Sequence, residues 1–141
     1  MATFKKFEDI EAWQKSRVLA NQVNSMTKYP NFRDDPDLKR QLKRSAGSIM
    51  DNIAEGFERG GKNEFHQFLS ISKGSAGEIR SQFYRSLDQE FITQIKFDEL
   101  YNLAEEIGKM LEGLMSYLRG SELKGTKYKI VDELETVNPK L

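Results

Sequence analysis

Three groups of residues in this chain have the types and spacing that chemistry would need. The first is His66, the sole histidine. An imidazole works as a general base when a nucleophile and an orienting carboxylate stand beside it. The surrounding "NEFHQFL" has no nucleophile elbow, so His66 reads as a surface or half-buried helical residue. A di-iron centre in a helical bundle requires Glu-x-x-His on two helices, and the residue three before His66 is Asn63.

The second group is Asn52, Glu55 and Arg59, which at spacings of three and four share one helix face with Ser48. Glu55 sits between Ala54 and Gly56, where a carboxylate could be partly buried and would then need donors. Together with Ser75 and Glu78, these residues read as a structural polar network, within a helical hairpin or between subunits, more than as a catalytic site. The third group is "LKRQLKR", whose Lys39, Arg40, Lys43 and Arg44 form two i, i+4 pairs and hence a basic ridge. Such a ridge suits the phosphates of RNA or DNA, with Arg59 and Lys62 as further candidates.

Positioning these groups falls to helices. The three prolines, Pro30, Pro36 and Pro139, lie outside every long periodic stretch. Four helices are expected, forming an all-α, antiparallel up-down-up-down bundle. The first spans about Glu8 to Lys28 and is broken by "YPNFRDD". Asp35 then reads as an N-cap with Pro36 at the first helical position. The second helix buries Leu38, Leu42, Ser45 or Ala46, Ile49, Ile53 and Gly56. Gly60-Gly61 supplies a left-handed stop and a turn.

The third helix carries Phe65, Phe68, Ser72, Ala76, Ile79, Phe83 and Leu87 inward, to about Gln89. The fourth alternates Phe97, Leu100, Ala104, Ile107, Leu111, Leu114 and Leu118 up to Gly120. Residues 1–120 therefore read as the bundle domain and 121–141 as a polar, flexible C-terminal tail. Off-stripe apolar residues, namely Phe57, Tyr84, Tyr101, Met110, Met115 and Tyr117, exceed what a small core needs and suggest a subunit interface.

Interior glycines are the oddity of "SAGSIMDNIAEGFERGG". Each costs about 1 kcal/mol against alanine in a helix. A joint as short as Gly60-Gly61 makes helices two and three a hairpin in which facing residue numbers total about 121. That rule sets Gly47 across from Gly74, Ile49 near Ser72, and Gly56 near Phe65. Close approach of small faces at Gly47, Gly56 and Gly74 is the expected compensation.

Composition excludes several classes. The 141 residues suit one domain. The absence of cysteine rules out disulfides and thiolate chemistry. Lys plus Arg equals Asp plus Glu at 22 each, so any nucleic-acid binding must come from a local patch. The N-terminal "MATFKKFEDIEAWQ" has no signal-like apolar run, and a cytoplasmic, soluble, non-enzymatic protein without metal or cofactor is expected. Neither "GGKNEF" nor "KGSAGE" is a phosphate-cradling loop.

The order "FEDIEAWQKSRVLANQV", "YPNF" and "LKRQLKRSAGSIMDNIAEGFERGGKNEFHQFLSISKGSAGEI" resembles one family over about residues 4 to 119. It is similar to the four-helix bundle proteins encoded in 23S ribosomal RNA intervening sequences, distant relatives of the accessory protein of diversity-generating retroelements. The residues that match are Trp13, Gln41, Arg44, Ser48, Asn52, Ala54, Glu55, Gly56, Arg59, Phe65, Phe68, Gly74, Ser75 and Glu78. The resemblance implies a bacterial, cytoplasmic, non-enzymatic homopentamer of ring-like form. It further implies association with nucleic acid or, alternatively, with a reverse transcriptase and no direct nucleic-acid role. The chain departs from the family at Met50, where a proline is common, and in lacking the strong positive charge of the retroelement accessory proteins.

Overall fold

The computed structural model describes residues 4–120, so the expected tail at 121–141 lies outside the described residues. Four helices follow in order: α1 (Glu11–Met26), α2 (Pro36–Glu58), α3 (Lys62–Asp88) and α4 (Gln94–Arg119). No strand occurs among the described residues. Each helix packs on its neighbour in the chain, and α4 closes back on α1, giving a four-helix bundle.

Local sequence chemistry sets the helix ends. Asp35 accepts a hydrogen bond at Oδ1 from the Leu38 N–H at 3.0 Å, and Pro36 opens α2 where its missing N–H costs nothing. Thr93 caps α4 in the same way, its Oγ1 accepting from the Lys96 N–H at 3.1 Å. Gly60 takes the left-handed conformation, with φ of +83°, and turns the chain from α2 into α3. The Asp35-Pro36 start and the Gly60 stop fall where the sequence puts them.

The first helix is shorter than its periodicity suggests. Phe7–Asp9 forms a separate 3-10 turn, and the Asp9 carboxylate accepts from the Lys5 and Lys6 N–H groups. Ile10 is extended and buries its side chain, so α1 begins only at Glu11. "YPNF" is not simply a breaker either. Pro30–Asp34 is a 3-10 turn that drives Phe32 into the core, 4.9 Å from the ring of Phe91. Apolar residues in irregular segments thus plug the bundle at this end.

All seven inward positions expected on α4 are buried, and so is the whole inner stripe of α2. On α3 the stripe shifts slightly: Leu69 is buried, whereas Phe68 and Leu87 are half-buried. Three of the six residues reserved for a subunit interface are needed at home. Phe57, Met110 and Met115 are all buried within the chain, because a bundle helix with neighbours on two sides buries a stripe wider than the a/d seam. Tyr84 remains exposed, and Tyr101 is half-buried against Phe97 and Tyr84.

Candidate nucleic-acid interface

The α2–α3 seam follows the expected register. Ser72, fully buried, donates from Oγ to the carbonyl of Ile49 at 2.7 Å. One turn along, the hydroxyls of Ser48 and Ser75 meet at 2.8 Å. Asn52 adds to this junction, its Nδ2 donating to the Ser48 carbonyl at 2.8 Å and to Ser48 Oγ at 3.0 Å. Along this stretch the two helices are therefore joined by neutral hydrogen bonds from buried or half-buried side chains, which are insensitive to salt.

The glycines divide sharply. At Gly56, an added Cβ would fall 2.5 Å from Phe68 Cβ and 3.2 Å from Phe65 Cδ1, so the helices meet only because that position has no side chain. Gly47 and Gly74 do not play the part expected of them. A Cβ on Gly74 would meet nothing within 4 Å, and one on Gly47 would meet only its own helix's Asp51 carboxylate at 4.0 Å. Each stands two residues past a buried serine, Ser45 or Ser72, which is about 200° around the helix and hence facing outward. They share a height along the hairpin but not a contact.

The proposed polar network also divides. Asn52, Ser48 and Ser75 form one unit. Glu55 and Arg59 form another, a surface pair at 2.7 Å in which both side chains are about half exposed. The Glu55 carboxylate is thus about half exposed, and its donor is Arg59, four residues on in the same helix. The Arg59 guanidinium also lies over the Phe68 ring, 5.1 Å from its centre. Glu78 is exposed and makes none of these bonds.

His66 belongs to a different seam. Arg119 donates from Nη1 toward His66 Nε2 at 3.0 Å and from Nη2 to Glu112 at 2.6 Å. Lys73 holds the other carboxylate oxygen of Glu112 at 2.8 Å. The Glu112 carboxyl is held below its ordinary range, first by the hydrogen bond from Lys73 and then by that from Arg119. Since a guanidinium only donates, Nε2 of His66 is the acceptor in this contact. No hydrogen bond joins His66 to Glu55 or Asn52. Among the described residues no cluster of three His, Asp or Glu side chains could hold a metal ion.

The basic ridge lies on the outward side of the first half of α2. Arg40 is paired with Asp37 one turn back. Lys43 and Arg44 are exposed and have no acidic partner among the described residues, and Lys39 is half-buried. Gln41, on the same helix, accepts from Arg85 of α3 at 2.9 Å. At the far end of the helix Arg59 is engaged by Glu55, and Lys62 is half-buried at the start of α3. The six cations thus form two separate groups.

The profile of the 23S rRNA-intervening sequence protein family matches residues 8–113. The chain belongs to this family. A solved structure from Bacteroides thetaiotaomicron VPI-5482, described as a protein with unknown function from the S23 ribosomal protein family, is 25% identical. It superposes with a TM-score of 0.69 over 74% of this chain and 95% of its own. No curated protein matches the chain. Among the described residues no helix is long and apolar enough to cross a membrane.

Proposed function

We propose that this family member is a non-enzymatic, cytoplasmic, oligomeric scaffold that binds RNA or DNA through the basic ridge of α2. The observation that carries this reading is the position of Lys43 and Arg44: exposed, without an acidic partner among the described residues, and on a helix that packs through its opposite face. Lys39 and Arg40 extend the ridge, Arg40 being partly neutralised by Asp37. Arg59 and Lys62 contribute less, since Arg59 already holds Glu55.

One subunit of zero net charge exerts no long-range pull on phosphate. A ring-like assembly, such as the homopentamer implied by the family resemblance, would repeat the ridge around its rim and sum its field. The test is fluorescence anisotropy with a labelled 23S intervening-sequence RNA at about 50 mM salt, where phosphate contacts are strongest. Saturable binding that is lost in Lys43→Glu/Arg44→Glu is expected. Undetectable binding, or binding unchanged by the double substitution, would overturn the reading.

A second reading, a protein-interaction module such as a reverse-transcriptase accessory subunit with no nucleic-acid role, is favoured by one observation. Ile71, Tyr84 and Ile95 remain 47%, 50% and 75% exposed, and with Val18 at 48% they are the most exposed large apolar residues among those described. Substituting these three with serine would abolish partner capture on this reading and leave RNA binding intact on the first.

A further inference from the structure

The end of the bundle where α2 begins carries an open cleft of about 550 Å³. Its floor is apolar: Leu87 is half-buried, and Phe91 and Ile92 are buried. Around the rim stand Tyr29, Asn31, Glu90, Thr93 and Lys96. A cavity of that size takes one planar ring with its substituents, not a duplex or a folded partner. Tyr29 is exposed there although the neighbouring Phe32 is in the core.

The turn that leaves α3 has a feature the fold alone does not account for. Glu90 is left-handed, with φ of +62°. The Phe91 N–H donates to the Ser86 carbonyl at 2.9 Å and the Glu90 N–H to that of Leu87 at 2.9 Å. This is the bond pattern of a helix stop whose left-handed position is usually glycine. A glutamate there strains the backbone, and its side chain returns nothing to the fold: it is exposed and makes no ion pair among the described residues. What it supplies is a carboxylate at the rim of the cleft. Asn31 ties the same turn to the facing 3-10 segment, its Nδ2 donating to the Glu90 carbonyl at 3.4 Å. That leaves Asn31 its Oδ1 and a second N–H for another partner. Thr93 Oγ1 accepts from the Lys96 N–H, so its hydroxyl proton remains available to donate.

Glu90 and Lys96 cancel in charge, so the rim has no net attraction for phosphate. An exposed aromatic ring over an apolar floor, edged by neutral donors and acceptors and one carboxylate, suits a flat ring whose polar edge carries N–H groups. We infer that the cleft takes one unpaired nucleobase of the strand held on the α2 ridge, stacked on Tyr29 with its amino edge toward Glu90 and Asn31. This inference rests on the nucleic-acid reading and narrows it to single strands, since a paired base offers neither its face nor that edge. The ridge is within reach of the cleft. The bond from Arg85 to Gln41 sets the last turns of α3 beside the first turns of α2. From Pro36 to Lys43 the helix rises about 10 Å at 1.5 Å per residue, a span of about three nucleotides at 3.4 Å each.

The test is fluorescence anisotropy of the full chain with two labelled RNAs of equal length, one unstructured and one fully paired, at about 50 mM salt. The unmodified chain is expected to prefer the unstructured strand about tenfold, the effect of one base stacked on an aromatic ring. Tyr29→Ala and Glu90→Gly should each remove that preference and leave the duplex affinity unchanged, whereas Lys43→Glu/Arg44→Glu should lose both RNAs. Glu90→Gly adds a readout that a merely structural role would not give. Relief of the left-handed strain should raise its unfolding midpoint while its single-strand affinity falls. An unmodified chain that binds both RNAs equally would overturn the cleft and leave the ridge standing. So would cleft variants that keep the preference while the ridge variant loses binding. No binding of either RNA by the unmodified chain would overturn both.

Discussion

Helix α3 has two long seams, and they are built from different chemistry. Toward α2 its buried and half-buried contacts are small and neutral, with Ser72 donating to Ile49, Ser75 meeting Ser48 and Phe68 filling the space above Gly56, while the charged contacts Arg85–Gln41 and Arg59 over Phe68 lie at the exposed rim. Toward α4 it presents charges and rings. Lys73, Glu112, Arg119 and His66 form a chain of contacts along one stretch, while Tyr84, Phe97 and Tyr101 pack ring against ring further along. Arg80 completes that second group from over the Tyr101 ring, 5.6 Å from its centre.

The difference separates what fixes the hairpin from what decorates it. Neutral buried bonds and a missing Cβ tolerate no displacement, because an extra methyl has nowhere to go in a close-packed interior. Exposed ion pairs are screened by salt and contribute little each. The α2–α3 seam therefore sets the fold, and the polar side of α3–α4 adjusts it.

Substitutions should rank accordingly in chemical denaturation. Gly56→Leu forces side-chain atoms into the Phe68 and Phe65 rings and should cost about 3 kcal/mol. Ser72→Ala removes one buried hydrogen bond across the seam and should cost about 1 kcal/mol. Gly74→Ala has the opposite sign: with nothing within 4 Å of the new methyl, it should stabilise by about 0.8 kcal/mol through helix propensity alone. A loss of stability there would mean that the two helices approach each other at Gly74 as they do at Gly56.

The smallest effect is expected at Glu112→Gln, about 0.5 kcal/mol, since its side chain is 44% exposed and its pairs are screened. Its pH dependence distinguishes it from the others. The folded carboxyl is held below its ordinary value by Lys73 and Arg119, so its contribution is complete above the glutamate range and fades as pH falls through the depressed value. The stability difference between the unmodified chain and the Glu112→Gln variant should shrink in acid and in high salt. A difference constant across both would contradict the comparison of the seams.

How much of this is legible in the sequence depends on whether a feature is periodic or rotational. The Asp35-Pro36 start, the Gly60 stop, the inner stripes of α2 and α4 and the pairing of Ile49 with Ser72 all follow from spacing, and the structure has each of them. The facing rule predicts height along a hairpin but not rotation about each helix. It therefore brings Gly47 level with Gly74 without revealing that both point outward. Nor does spacing reveal that the His66 ring turns toward Arg119 on the other seam. Phe32 and Phe91 close the bundle end from segments with no helical period to betray them. The proposed assembly and partner belong to surfaces, where spacing within one chain has least to say.

One feature of α2 links the fold to the proposed function. Lys43 and Arg44 are exposed on the side of α2 away from its packed face, so both can be reversed without touching the core. The most direct measurement is the affinity of Lys43→Glu/Arg44→Glu for 23S intervening-sequence RNA across a salt series, taken alongside its unfolding curve. The proposal predicts stability within about 0.5 kcal/mol of the unmodified chain, with RNA binding that falls steeply with salt in the unmodified chain and is lost in the variant even at low salt. An unchanged affinity and slope in a fully folded variant would contradict it.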